Sequence, residues 1–125
     1  MPFWSKYWFA SSLLVIDITK NEIFTDEQNE IALLSKVIGH PARVAILQHL
    51  FKINSCVCGD LVGEIGLAQP TISQHLKELK QLGLIKGTIE GTSVCYCIDS
   101  ENWLEMKSVM TEFLNQDISK GKECC

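Results

Sequence analysis

Six cysteines fall in three close pairs, Cys56/Cys58, Cys95/Cys97 and Cys124/Cys125. A thiol can serve as a soft ligand, as a nucleophile once ionised, or as half of a disulfide. Spacing bears on which. On a helix, residues two apart point about 200° away from each other, so Cys56 and Cys58 could not grip one ion there. On a strand they share a face, with Cα atoms about 6.6 Å apart, and both sulfurs can converge on one soft guest. A direct bond between two such neighbours lies at the stretched limit of disulfide geometry. Cys95-Tyr96-Cys97 obeys the same rule: if Val94, Tyr96 and Ile98 face a core, both thiols face the other way together. The bland alternative is that each is a small buried apolar residue, a common fate of free cysteine.

The elements that must position these thiols are mostly helical. The chain has 125 residues, enough for one domain with a core. Its 46% apolar and 21% charged residues suit an ordinary soluble globular protein. The net charge of −4 means that nucleic-acid binding needs a local basic face, or a dimer that concentrates one. Residues 1–24 stand apart as an N-terminal extension. "MPFWSKYWFASSLLVIDI" resembles a weak signal peptide, but no small-x-small cleavage site follows its apolar run. The run is also too short to span a bilayer. The expectation is a cytoplasmic protein with no membrane partner. Residues 116–125 read as a flexible tail carrying Cys124 and Cys125.

Between these ends, residues 25–115 read as one domain. Thr25 and Gln28 make a capping box at the start of a first helix. There Ile31, Leu34 and Ile38 form one apolar stripe and Leu33 and Val37 a second, so the helix is expected to be buried on two sides. Pro41 opens a second helix, with His49 on its apolar face expected as a core histidine. "INSCV" reads as a short strand and "GDLVGEIG" as a short helix. After a turn at Gly66, "QPTISQHLKELKQLG" makes a further helix, with Ile72, Leu76, Leu79 and Leu82 inward and Gly83 as its C-terminal stop. Helix, glycine turn, helix is the helix-turn-helix arrangement. Alternation around Glu90-Gly91-Thr92 predicts a two-stranded hairpin, a wing. Ser100 is expected to cap the last helix, whose Trp103, Met106, Val109, Met110 and Phe113 make a broad apolar face. The fold class is therefore mostly α with a small β-hairpin, a winged helix-turn-helix.

In such a motif the second helix enters the major groove. Its expected outward residues are Gln69, Thr71, Ser73, Gln74, His75, Lys77 and Lys80. Glutamine pairs with adenine, serine and threonine reach bases or phosphates, and lysine neutralises phosphate. From Gln69 to Lys86 there are three lysines against one glutamate, so the local balance is positive. Lys86, Thr88, Thr92 and Ser93 are expected along the adjoining backbone or minor groove, with Glu90 turned away. One module covers few base pairs, so a homodimer on two half-sites about 34–36 Å apart is expected, with the first and last helices at its interface.

"LSKVIGHPARVAILQHL", "CVCGDLV", "LAQPTISQHLKELKQLGLIKG" and the hairpin resemble the ArsR/SmtB family of winged-helix repressors, over roughly residues 28–115. The resemblance implies a homodimer that represses from double-stranded operator DNA until an inducer binds, with no obligatory cofactor. It also implies that Cys56-Val57-Cys58 corresponds to the Cys-Val-Cys of members sensing arsenite, antimonite or cadmium. Leu61 and Val62 stand where a third arsenite thiol would be, and Gly59 looks like an extra residue. The last helix has no histidine, which speaks against the zinc site of other members. In a winged helix the strand before the motif commonly pairs with the second wing strand, which would bring Cys56 and Cys58 beside Cys95 and Cys97. The expected ligands are those four thiols, with Cys124 and Cys125 less firmly placed. Trivalent arsenic or antimony takes three thiolates, and a soft divalent metal accepts four. The alternative on the same fold is a repressor that senses oxidation of its thiols. An enzyme is not expected, since there is no phosphate-cradling loop, no Cys-x-x-Cys beside a βαβ unit and no Ser/His/Asp set.

Overall fold

The computed structural model describes residues 23–59, 61–88 and 95–118. The expectations for residues 1–22, Glu90, Thr92, Ser93, Val94, Cys124 and Cys125 lie outside the described residues. Among the described residues, five helices and three strands follow in the order α1 (Asp26–Ile38), α2 (Pro41–Ile53), β1 (Val57–Cys58), α3 (Val62–Ile65), α4 (Gln69–Gln81), β2 (Ile85–Thr88), β3 (Cys95–Ile98) and α5 (Ser100–Leu114). The three strands form one antiparallel sheet in the order β1-β3-β2.

Local chemistry accounts for most of the boundaries. The capping box at α1 is present: Gln28 N–H donates to Thr25 Oγ1 at 3.1 Å, and Thr25 N–H donates to Gln28 Oε1 at 2.9 Å. α2 starts at Pro41, with Ala42 N–H donating to His40 Nδ1 at 3.1 Å. It runs to Ile53, past the point where a strand was expected, and stops at Asn54 in the left-handed conformation. The strand therefore contains only Val57 and Cys58. Gly83, at φ 84, ends α4 as predicted, and Leu84 N–H reaches back to Leu79 O at 3.0 Å. One cap differs. Asp99, not Ser100, precedes α5, and its carboxylate accepts from Asn102 N–H at 3.2 Å. A carboxylate also suits the positive helix end better than a hydroxyl does.

The core gathers one face from each long element. Leu33, Leu34 and Val37 of α1 meet Ile46, Leu47 and Leu50 of α2, with Ile72, Leu76 and Leu79 of α4, Tyr96 of β3 and Met106 of α5. In α1 the second stripe, Leu33 and Val37, is buried, whereas the first is buried only at Leu34 and half-buried at Ile31 and Ile38. In α5 Met106 is buried, Trp103, Val109 and Met110 are half-buried, and Leu104, Phe113 and Leu114 are exposed. Asn102 is buried and donates from Nδ2 to Gly83 O at 3.0 Å, while Asp99 N–H donates to Leu84 O at 2.9 Å. These two bonds tie the start of α5 to the end of α4.

Gly87 is where the sheet tolerates no side chain. It lies opposite Tyr96 at φ +129, and a Cβ there would run into the carbonyl oxygen of Cys95 and come within 2.8 Å of Tyr96 Cα. Every obstacle is backbone, so relief requires moving β3. Gly87→Ala is expected to cost about 3 kcal/mol from strain and overpacking. For a domain of this size that lowers Tm by about 10 °C or more, readable in a thermal melt.

Candidate nucleic-acid interface and thiol site

α4 is positioned by its apolar side. Ile72, Leu76 and Leu79 recur at helical spacing and are buried. The opposite side then faces solvent: Gln69, Thr71, Gln74, Lys77 and Lys80 are exposed, as is Lys86 on β2, while Ser73 is half-buried. Along this face Gln69 Nε2 donates to Ser73 Oγ at 3.2 Å, and Gln74 Nε2 donates to Glu78 Oε1 at 3.2 Å. Of the expected nucleic-acid residues on α4 and at Lys86, all except His75 share an accessible surface to some degree.

His75 is the correction. It is only 8% exposed, on the buried side of α4, its ring 4.4 Å from that of His40. Arg43 Nε donates to His75 Nδ1 at 3.3 Å, Arg43 Nη1 donates to Val37 O at 2.8 Å, and its other nitrogen forms an ion pair with Glu78. Arg43 therefore braces α4 against the first two helices and neutralises the only acidic side chain on α4. Nothing in its sequence position announced this, because the partners lie 32 and 35 residues away. Burial lowers the Arg43 guanidinium from its ordinary value, yet leaves it a cation, as arginine always is in proteins.

Burial first, then repulsion from His40 and from Arg43, holds the His75 imidazole below its ordinary value. A depressed folded-state pKa means that the unfolded chain binds the proton more readily. The stability contributed by neutral His75 is complete above the unfolded value, near pH 6.5. It is lost as pH falls through the lower folded value. Melts between about pH 7.5 and 5 should show this slope in the parent chain and a shallower one in His75→Gln.

The second site lies on the outer face of the sheet. Val57 pairs with Tyr96 and Cys58 with Cys95. Because Tyr96 is buried, its neighbours Cys95 and Cys97 turn away from the core, and the register carries Cys56 opposite Cys97. The thiols thus lie close together, Cys58 and Cys95 as a cross-strand pair and Cys56 and Cys97 one step beyond the end of β1; Val57 and Cys58 are in the strand, and Cys56 immediately precedes it. Cys58 and Cys95 are joined by a disulfide, a bond between strands rather than between neighbours in sequence. Cys56 is free and exposed, and Cys97 is free and half-buried. A hydrogen bond to Cys56 raises the Cys97 thiol above its ordinary value, helped by burial, by the nearby Cys56 sulfur and by Asp99, and opposed by Lys86. Lys86 is the residue opposite Cys97 on β2.

With two of the four sulfurs bonded to each other, only two remain as free donors. Among the described residues no group of three or more His, Cys, Asp or Glu side chains is arranged to hold a metal ion. What the arrangement can do as it stands is exchange: disulfide for dithiol at Cys58/Cys95, beside a second thiol pair. The sequence reading missed the apolar wall beside that second pair, formed by Phe51 and Trp103 with ring centroids 4.7 Å apart. Among the described residues no helix is long and apolar enough to cross a membrane.

Comparisons with known proteins agree with this geometry. Residues 40–86 match the family described as bacterial regulatory protein, arsR family. An uncharacterized HTH-type transcriptional regulator of Methanocaldococcus jannaschii is 35% identical over 88 residues, covering 70% of this chain and 98% of that protein. The HTH-type transcriptional repressor SmtB of Mycobacterium tuberculosis is 38% identical over 63 residues, 50% of this chain and 46% of that one. The HTH-type transcriptional regulator CmtR of Mycobacterium bovis is 35% identical over 78 residues, 61% of this chain and 65% of that one. The chain thus spans nearly all of the first relative and less than two thirds of the other two. No solved structure matches the chain significantly.

Proposed function

The chain belongs to the ArsR/SmtB family of helix-turn-helix transcriptional regulators, and from that premise we propose a cytoplasmic homodimeric repressor whose hold on operator DNA is set by the sulfurs between β1 and β3. Members of this family are DNA-binding regulators rather than enzymes. Each protomer offers α4 to the major groove, with Gln69, Thr71, Ser73 and Gln74 toward base edges and Lys77, Lys80, Lys86 and Thr92 toward phosphates. The exposed Phe113 and Leu114 of α5, with Ile23 and Phe24 ahead of α1, supply the apolar surface a second copy would cover.

One observation carries the regulatory reading. The Cys58–Cys95 bond closes a loop of 37 residues, and that loop contains α3, α4 and β2, the whole reading element and half of its wing. Making or breaking the bond acts directly on the placement of α4. Oxidation by a peroxide balances simply: one thiolate takes an oxygen to become a sulfenic acid, and the other displaces water from it to form the disulfide. A thiol-redox repressor is therefore the reading the geometry supports best.

A thiophilic inducer is the second reading, favoured by the four sulfurs on one sheet face. In the dithiol form Cys56, Cys58, Cys95 and Cys97 offer soft donors to arsenite, antimonite, cadmium or lead, with Cys124 or Cys125 as further donors. The donor set is all sulfur and suits no hard ion.

The test starts from reduced protein and operator fragments selected by it from a random-sequence pool. Arsenite, antimonite, cadmium, lead, zinc and peroxide are titrated in parallel. Peroxide is expected to release the DNA and a dithiol reductant to restore binding. Cys56→Ser separates the readings, because it should keep release by peroxide and lose release by arsenite. If no inducer frees the DNA, the sulfurs are not the sensor.

A further inference from the structure

Beside the thiols lies a cleft of about 530 Å³, within the range of small-molecule sites. Its apolar walls are Leu50, Phe51, Ile98, Trp103 and Leu104; Asn54, Ser55 and Ser100 add small polar groups, and Cys56, Cys97 and Lys86 share the lining. The walls come from α2, β3 and α5, so the cleft sits where the second helix, the sheet and the last helix meet. Phe51 is 43% exposed and Leu104 62% exposed. Large side chains of this kind stay in water at a cost that an apolar occupant would remove.

The chemistry of the lining is selective. Greasy walls cannot replace the hydration of a bare ion, so the cleft itself is not an ion site. A purely apolar guest would leave the thiols and the ammonium idle. What fits all three features is a molecule with an apolar body, an electrophilic carbon and an oxygen that gains negative charge when a thiol attacks. We propose that this cleft binds small apolar α,β-unsaturated carbonyl compounds, and that Cys56 adds to them.

The step balances without any oxidant or leaving group. The Cys56 sulfur forms a bond to the β-carbon. The carbon–carbon π pair moves toward the carbonyl, whose oxygen takes up the charge as an enolate beside the Lys86 ammonium. The proton lost by the thiol is returned through solvent to the α-carbon. Cys56 is the attacking sulfur because it is exposed at the cleft, whereas Cys97 is half-buried. The apolar body of the guest covers Phe51, Trp103 and Leu104. The site is distinct from the Cys58–Cys95 bond and is available while that bond is intact. Only its effect on DNA rests on the repressor reading.

The experiment uses the full chain with the Cys58–Cys95 bond in place. Native protein and protein unfolded in urea are each exposed to trans-2-nonenal, to acrylamide and to iodoacetamide, and adducts are located by peptide mass spectrometry. Native Cys56 should favour nonenal over acrylamide by about tenfold more than unfolded Cys56 does. Leu104→Asp, an exposed position that folding does not need, should bring that preference down to the unfolded value. Lys86→Gln should slow nonenal addition and leave iodoacetamide alkylation unchanged, since displacement of iodide places no charge on a carbonyl oxygen. A native preference equal to the unfolded one overturns the proposal, as does a native Cys56 shielded from all three reagents.

Discussion

Reduced protein carrying Lys77→Glu and Lys80→Glu is expected to lose at least about a hundredfold in operator affinity at physiological salt, while its thermal melt stays where it was. Both side chains are exposed, so the fold has little stake in them. The chain as a whole carries −4 and should be repelled by a polyanion. Attraction therefore has to come from a small surface, and Lys77, Lys80 and Lys86 are its cations. The one carboxylate on α4, Glu78, is already paired with Arg43 and subtracts little from it. A dimer with both substitutions loses four cations and gains four anions. Each phosphate contact contributes about 0.9 to the slope of log affinity against log salt, so the slope should fall by about three to four. A hundredfold loss corresponds to about 2.7 kcal/mol, modest for four phosphate contacts. Gln74→Ala should instead relax base preference at one position and leave the salt slope alone. If the double variant binds operator within a few-fold of the parent, this face of α4 does not meet DNA.

What could be read in advance followed from periodicity and local chemistry. The capping box at Thr25, the proline start of α2, the glycine stop at Gly83 and the inward series Ile72, Leu76, Leu79 depend only on near neighbours. So does the alternation that puts Tyr96 inside and Cys95 and Cys97 outside. The pairing of the strand before the motif with the second wing strand came from the family's architecture, and it set all four thiols side by side. The larger failures are long-range. His75 falls between the two faces of α4 by periodicity, and a polar residue there reads as outward. It is inward because Arg43 and His40, on another helix, offer it a nitrogen donor and a ring. The bond between Cys58 and Cys95 was invisible for the same reason. Cysteine spacing reports neighbours along the chain, whereas this bond joins residues that meet only once the register between two strands is set. Asp99 took the cap of α5 from Ser100 by a shift of one residue, within the latitude that helix ends allow.

Breaking the Cys58–Cys95 bond should cost about 4 kcal/mol of unfolding free energy, by the loop-entropy relation for a 37-residue loop. Set against the few kcal/mol by which small domains are stable, that is a large fraction of the whole. Urea titrations of oxidised protein, reduced protein and Cys58→Ser should place the last two together and well below the first. The same three samples test function. The cross-link fastens β1 to the wing, and β1 leads into α3 through only a few residues, so the loop that presents α4 cannot change its span while the bond holds. Reduction frees that span, and the operator selects the spacing of two α4 helices that suits its half-sites. A state preferred by DNA about a hundredfold is separated from its rival by about 2.7 kcal/mol, and a covalent link that fits only the other span holds against a preference of that size. Oxidised protein is therefore expected to bind operator about a hundredfold more weakly than reduced protein. Cys58→Ser should bind like the reduced form whether or not peroxide is added. Equal operator affinity of the oxidised and reduced parent would show that the cross-link holds the fold together without governing what it does.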